Sequence, residues 1–134
     1  MIAGILESAL YVDDLDAAEA FYGGILGLTK IAAQANRHIF FKAGSGVLLI
    51  FNPEETAIPA PSGALPVPPH GAKGAGHLCF TLEGDDFAAL RARLEEHAVP
   101  VEADFRWPNG ARSVYFRDPA GNSLECAEKR LWNL

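Results

Sequence analysis

A chain of 134 residues, 49% hydrophobic and 21% charged, has the composition of one ordinary globular domain or of two very small modules sharing a core. Composition excludes disorder, collagen and coiled coil, and no apolar run approaches the roughly 20 residues a membrane helix needs. The net charge of −6, from 11 basic and 17 acidic residues, argues against a nucleic-acid partner, because phosphate binding calls for a basic surface.

Met1 to Val12 has no basic stretch followed by a long apolar one, so no signal peptide is expected. The two cysteines, Cys79 and Cys126, form neither a disulfide framework nor a CxxC pair. Reduced thiols and a cytoplasmic location are the expectation.

Ile5 to Val12 is rich in β-favouring residues and is expected to be a strand. Asp13 or Asp14 then offers a cap for a helix with Leu15, Ala18, Tyr22 and Ile25 on one stripe, and Gly27 stops it. Strands follow near Leu28–Ala33, Arg37–Lys42 and Val47–Phe51, the last two joined through Gly44-Ser45-Gly46. From Asn52 to Gly76 the pattern breaks. Six of the nine prolines lie there, so a loop without helix or ladder is expected. The first pattern then returns: a strand His77–Leu82, and a helix capped by Asp85 or Asp86 with Phe87, Leu90 and Leu94 on one stripe. Ala98-Val99-Pro100 closes that helix, and strands follow near Val101–Phe105, Arg112–Arg117 and Ser123–Ala127. Strand–helix–strand–strand–strand thus occurs twice, as in an internal duplication, although residue identity between the halves is slight.

The expected fold class is α+β: two βαβββ modules forming a curved mixed sheet around a cleft. Residues 1–134 are read as a single domain, with module one about 4–52, a Pro/Gly-rich linker about 53–75 and module two about 76–130. Side chains alternate across a strand. Leu78, Phe80 and Leu82 share an apolar face, as do Leu10 and Val12, and these faces belong under the helices. Glu7, His77, Tyr115 and Glu125 all fall on the other side by parity. One imidazole and two carboxylates on that side form a candidate ligand set for a divalent metal, although each is also an ordinary residue for an exposed strand face. His70, in the loop before His77, is a candidate lid or general base, or simply an exposed loop histidine. Cys79 reads as a small wall residue, and Trp107 and Trp132 as cleft walls or dimer contacts.

Several stretches together resemble the vicinal oxygen chelate superfamily, which includes glyoxalase I, bleomycin-resistance proteins, fosfomycin-resistance enzymes and extradiol dioxygenases. They are Leu10-Tyr11-Val12-Asp13-Asp14-Leu15 with Phe21-Tyr22 and Leu26-Gly27-Leu28, then Gly76-His77-Leu78-Cys79-Phe80, and finally Ser113 to Glu125 with its YFRDPxGNxxE pattern. The resemblance covers nearly the whole chain. It implies a metal held by residues on the first strand of each module and the last strand of the second. His77 and Glu125 match ligand positions, while Glu7 stands where the family usually has histidine. Glyoxalase I takes a further ligand from the last strand of the first module. Here Val47-Leu48-Leu49-Ile50-Phe51 has none, which implies three protein ligands and open positions.

On that resemblance the protein is a metal-dependent enzyme, a lyase or dioxygenase. One divalent ion (Mn, Fe, Zn, Ni or Mg) grips two neighbouring oxygens of a small substrate, with isomerisation, addition and ring cleavage all open. Tyr115 matches a tyrosine near the substrate in fosfomycin-resistance enzymes and joins His70 as a catalytic candidate. Arg37, Lys73 and Arg112 are candidate basic groups for a phosphonate. A homodimer is implied, and neither a nucleic-acid nor a membrane partner. The alternative is a metal-free protein that sequesters a small molecule, as in the bleomycin-resistance branch.

Overall fold

The computed structural model describes residues 1–134, which fall into two units, 1–74 and 75–134. In the first, strands β1 (Glu7–Tyr11), β2 (Thr29–Gln34), β3 (His38–Ala43) and β4 (Gly46–Phe51) form one mixed sheet in the order β1-β4-β3-β2. β1 runs parallel to β4 and the other pairs are antiparallel. The ladder starts at Glu7–Val47, so Ile5 and Leu6, expected within the strand, lie before it and are exposed.

Helix α1 (Leu15–Glu19) begins where the Asp14 carboxylate accepts the Ala17 N–H at 2.9 Å. It continues as a π-helical stretch, Ala20–Ile25, in which Leu26 N–H reaches back five residues to the Phe21 carbonyl. The stripe expected from ordinary helical spacing is corrected accordingly. The wider turn buries Phe21 as well as Ala18 and Tyr22, while Leu15 and Ile25 stay half-buried. Gly27 ends the segment in the left-handed region, φ +72°. Leu10, Ile39, Phe41, Leu48 and Ile50 complete a core beneath α1, all on one face of the sheet.

The stretch after β4, expected to be a loop without helix, opens instead with a short helix α2 (Pro53–Thr56). Asn52 Oδ1 accepts the Glu54 N–H at 3.1 Å, and Pro53 occupies a first-turn position where its missing N–H costs nothing. Glu54 and Glu55 further favour this helix N-terminus. Beyond it the chain returns to the unit: His70 N–H donates to the Thr56 carbonyl at 2.9 Å, and Gly71 lies against Pro53.

The second unit repeats the order. Strands β5 (His77–Thr81), β6 (Val101–Arg106), β7 (Arg112–Arg117) and β8 (Ser123–Ala127) form a mixed sheet in the order β5-β8-β7-β6, with β5 parallel to β8. Helix α3 (Asp86–Glu96) follows β5. Asp85 sits at its N-cap in a helical conformation and makes no side-chain cap, unlike Asp14. Phe87, Leu94, Val114, Phe116 and Leu124 are buried as this unit's core. Both sheets carry an irregularity at matching places, Lys30/Ala32 in β2 and Val101/Ala103 in β6, which fits a duplicated unit. The chain is α+β, with two βαβββ units, and no helix is long and apolar enough to cross a membrane.

Candidate functional site

Register fixes what shares the face opposite the core. In the second unit His77, Ser123 and Arg117 form one row, and Cys79, Glu125 and Tyr115 the next. Ser113 follows two residues before Tyr115 on β7. Three of the expected site residues, His77, Tyr115 and Glu125, are therefore brought together.

Glu125 is the centre of this group and only 5% exposed. Its Oε1 accepts the Ser113 hydroxyl at 2.5 Å, and that hydroxyl in turn accepts the Trp107 indole N–H at 2.8 Å. Burial first, then the neighbouring Glu125 carboxylate, push the Tyr115 pKa up to about 12. The phenol therefore stays protonated at neutral pH and serves as a donor. Its ring stacks on His77, centroids 6.2 Å apart, and on Phe105 at 5.9 Å.

His77 Nδ1 lies 2.9 Å from the Ser123 carbonyl, which can only accept, so that nitrogen carries a proton. Nε2 then faces Glu125 Oε2 at 3.4 Å. Unless a cation lies between them, these are two lone-pair atoms opposed. A proton serves, making an imidazolium–carboxylate pair, and so does a metal ion. Two ligands each about 2.1 Å from a tetrahedral metal are about 3.4 Å apart, so the pair fits two positions of a divalent site. The carbonyl bond to Nδ1 is the usual second contact of a metal-binding histidine. No group of three or more His, Cys, Asp or Glu side chains able to hold a metal is assembled in the chain.

Cys79 is an exposed residue, yet desolvation of its thiol, followed by the charge of Glu125, pushes its pKa up to about 12. A thiol so held is protonated and a poor nucleophile, in keeping with a wall position.

Glu7 and His70 belong to the first unit. Glu7 is exposed at the start of β1, in one row with Val47 and Lys42. The β4 residues on its face are Val47, Leu49 and Phe51, none of them a ligand. His70 packs onto the far end of that face. Its Nδ1 is 2.7 Å from the Tyr11 hydroxyl and its ring meets Phe51 edge to face at 4.7 Å. It is a docked wall residue with one ring nitrogen already engaged.

The expected basic groups separate. Arg112 is held by a two-point bond to Asp104 and lies over Phe87, on the core side. Lys73 pairs with Glu54 at 2.8 Å on an exposed surface. Arg37 lies over the Phe51 ring at 5.6 Å. Trp132 is exposed, whereas Trp107 is tied to Ser113. Sequence reasoning did not single out Ser113 as a partner of Glu125. Its parity with Tyr115 was the available signal, but the pairing of β7 with β8 decides it.

The family model described as Glyoxalase/Bleomycin resistance protein/Dioxygenase superfamily matches residues 4–126. Among solved structures, a lactoylglutathione lyase from Agrobacterium tumefaciens is 45% identical, with a TM-score of 0.92 over 99% of this chain and 98% of that one. An integron cassette protein from the mobile metagenome of the Halifax Harbour sewage outfall is 24% identical, with a TM-score of 0.74 over 95% of this chain and 99% of that one. A fosfomycin resistance protein from Mesorhizobium loti is 20% identical, with a TM-score of 0.67 over 98% and 99%. The last two are alike in fold alone.

Proposed function

The chain belongs to the Glyoxalase/Bleomycin resistance protein/Dioxygenase superfamily, and from that premise we propose that it is a metal-dependent enzyme acting on a small oxygen-rich molecule. The observation that carries this reading is the facing pair His77 Nε2 and Glu125 Oε2, with the imidazole fixed by the Ser123 carbonyl. Glu7 is the proposed third ligand, from the same chain or from a second chain in a homodimer. The 45% identity to a lactoylglutathione lyase favours a lyase over a dioxygenase. So does the donor set, since two carboxylates and one histidine invert the usual two-histidine, one-carboxylate pattern of non-haem iron oxygenases.

When bound, a divalent metal supplies Lewis acidity to a pair of neighbouring substrate oxygens. The chain's own residues do the rest. Ser113 holds Glu125 in one orientation by occupying Oε1, which leaves Oε2 toward His77. Tyr115, protonated at neutral pH, donates a hydrogen bond to a developing negative charge on a substrate oxygen. Phe105 and His77 stack on its ring and fix its aim. His70, its Nδ1 engaged by Tyr11 and its ring against Phe51, is proposed as a wall of the substrate face on the first unit.

Elemental mass spectrometry of protein purified without chelator or nickel column tests the reading. About one equivalent of metal in the parent, and loss in Glu7→Ala, His77→Ala and Glu125→Ala, is the expected result. Retention of metal in Glu125→Ala overturns it. Mixing Glu7→Ala with Glu125→Ala subunits locates Glu7: metal regained in the mixture means that two chains share each site. The second reading, a metal-free binding protein, is favoured by the lack of an assembled three-ligand group within the chain. It predicts no metal in the parent and no rise in melting temperature on titration with metal.

A further inference from the structure

The first unit holds a second cluster, distinct in chemistry from the Glu125 group. His38, Phe51 and Tyr11 lie in one row across β3, β4 and β1, with Phe40 in the next row of the same face. His38 stacks on Phe40 at 4.1 Å with the planes 10° apart, and Phe51 meets both edge to face. His70 closes the row over Tyr11 and Phe51. All but Phe51 are half-buried, so their rings still present surface.

Arg37 crowns this cluster. Its Nη1 donates to His38 Nδ1 at 2.8 Å, and its guanidinium lies over Phe51. Arg37 forms no ion pair, whereas Arg91, Arg106, Arg112, Arg117 and Arg130 all meet carboxylates. Accepting from Arg37 leaves a neutral His38 with its proton on Nε2, and burial and the arginine charge both lower its pKa. A guanidinium with donors to spare thus stands beside a second N–H donor on an aromatic floor. Such a group recognises a flat anion: the rings take its π-face and the fork takes its oxygens.

We infer that Tyr11, Arg37, His38, Phe40, Phe51 and His70 form a subsite for an aromatic carboxylate, the end of the substrate remote from the metal. This rests on the proposed function, in which the face bearing Glu7 meets the substrate. Glu7 stands four residues from Tyr11 along β1, about 13 Å at the rise of an extended strand. The substrate is therefore longer than a simple ketoaldehyde, with chelating oxygens at one end and a planar anion at the other. Ala9 and Leu49 between the two ends present a small, apolar path.

The test uses 2-naphthoate as probe on full-length protein dialysed against chelator, with binding read by ligand-observed NMR and by quenching of the naphthoate fluorescence. Saturable binding is expected, weakened about tenfold in Arg37→Gln, less in Arg37→Lys, and several-fold in Phe40→Ala. The uncharged 2-naphthylmethanol and the non-aromatic cyclohexanecarboxylate should each bind about tenfold more weakly than 2-naphthoate. Circular dichroism of Arg37→Lys and Arg37→Gln guards against misfolding. Equal affinity of parent and Arg37→Gln overturns the inference, as does an equal affinity for cyclohexanecarboxylate. Failure to bind at any protein concentration overturns it too. Because metal is absent throughout, metal content and naphthoate binding fail independently: metal without naphthoate ends this inference alone, and naphthoate without metal ends the enzyme reading and leaves the cluster as an aromatic-carboxylate site only.

Discussion

Removing the Ser113 hydroxyl exposes how the buried Glu125 is held. Ser113 is fully buried and donates to Glu125 Oε1 at 2.5 Å while accepting from Trp107 Nε1 at 2.8 Å. Ser113→Ala deletes a hydrogen bond to a charged acceptor, worth about 1.5–3 kcal/mol. Trp107 is half-buried, so the loss of this acceptor by its indole N–H is set at about 0.5 kcal/mol. The sum is about 2–3.5 kcal/mol, or a fall of about 6–14 °C in melting temperature for a chain of this size. Urea unfolding at pH 7 in chelator, followed by tryptophan fluorescence, measures it without any contribution from metal. The Glu125→Gln background supplies the control: if the serine acts through the carboxylate charge, its loss costs at least about 1 kcal/mol less there. A loss under about 0.5 kcal/mol in the parent, or the same loss in both backgrounds, refutes the assignment of Ser113 as the holder of Glu125.

The loop before β8 offers a harsher perturbation. Asn122 accepts the Gly76 N–H at 2.8 Å and donates to Asp118 Oδ2 at 2.9 Å from a buried position, so Asn122→Ala should cost about 3 kcal/mol in urea unfolding. Ala98 ends α3 at φ +54°, and Ala98→Gly should stabilise by about 0.5–1 kcal/mol, read as a higher urea midpoint. Arg112 holds the Asp104 carboxyl below the usual aspartate range. A lowered folded pKa gives stability that is present above about pH 4 and lost as pH falls through the folded value. Asp104→Asn should therefore flatten the acid limb of a urea-midpoint profile below pH 4, and an unchanged slope would reject the linkage. Metal added to chelated protein should raise stability by about 2.7 kcal/mol at a hundredfold excess over its dissociation constant, and not in Glu125→Ala.

Strand parity needed only the order of residues. Because side chains alternate with period two, the placement of His77, Cys79, Tyr115 and Glu125 on one face followed from their spacing once each strand was identified. Asp14 as a cap and Gly27 as a stop are equally local, since each acts within one helical turn. The π-helical turn at Ala20–Ile25 was not legible, because its driving force is the burial of Phe21 and Tyr22 together, a demand of the sheet beneath. The helix at Pro53–Thr56 departs from the loop expected there because proline, a breaker inside a helix, is a starter in the first turn.

What the sequence determined by itself is therefore the element order, the duplication, the faces and the identity of the residues able to bind or donate. What only the tertiary structure decided is partnership. Ser113 with Glu125, Arg112 with Asp104, Asn122 with Gly76 and His70 with Tyr11 all join residues from different segments. Their meeting depends on strand register and on where the Pro/Gly-rich segment comes back to the sheet. Those are set by summed packing over the whole unit, which no local window of sequence contains.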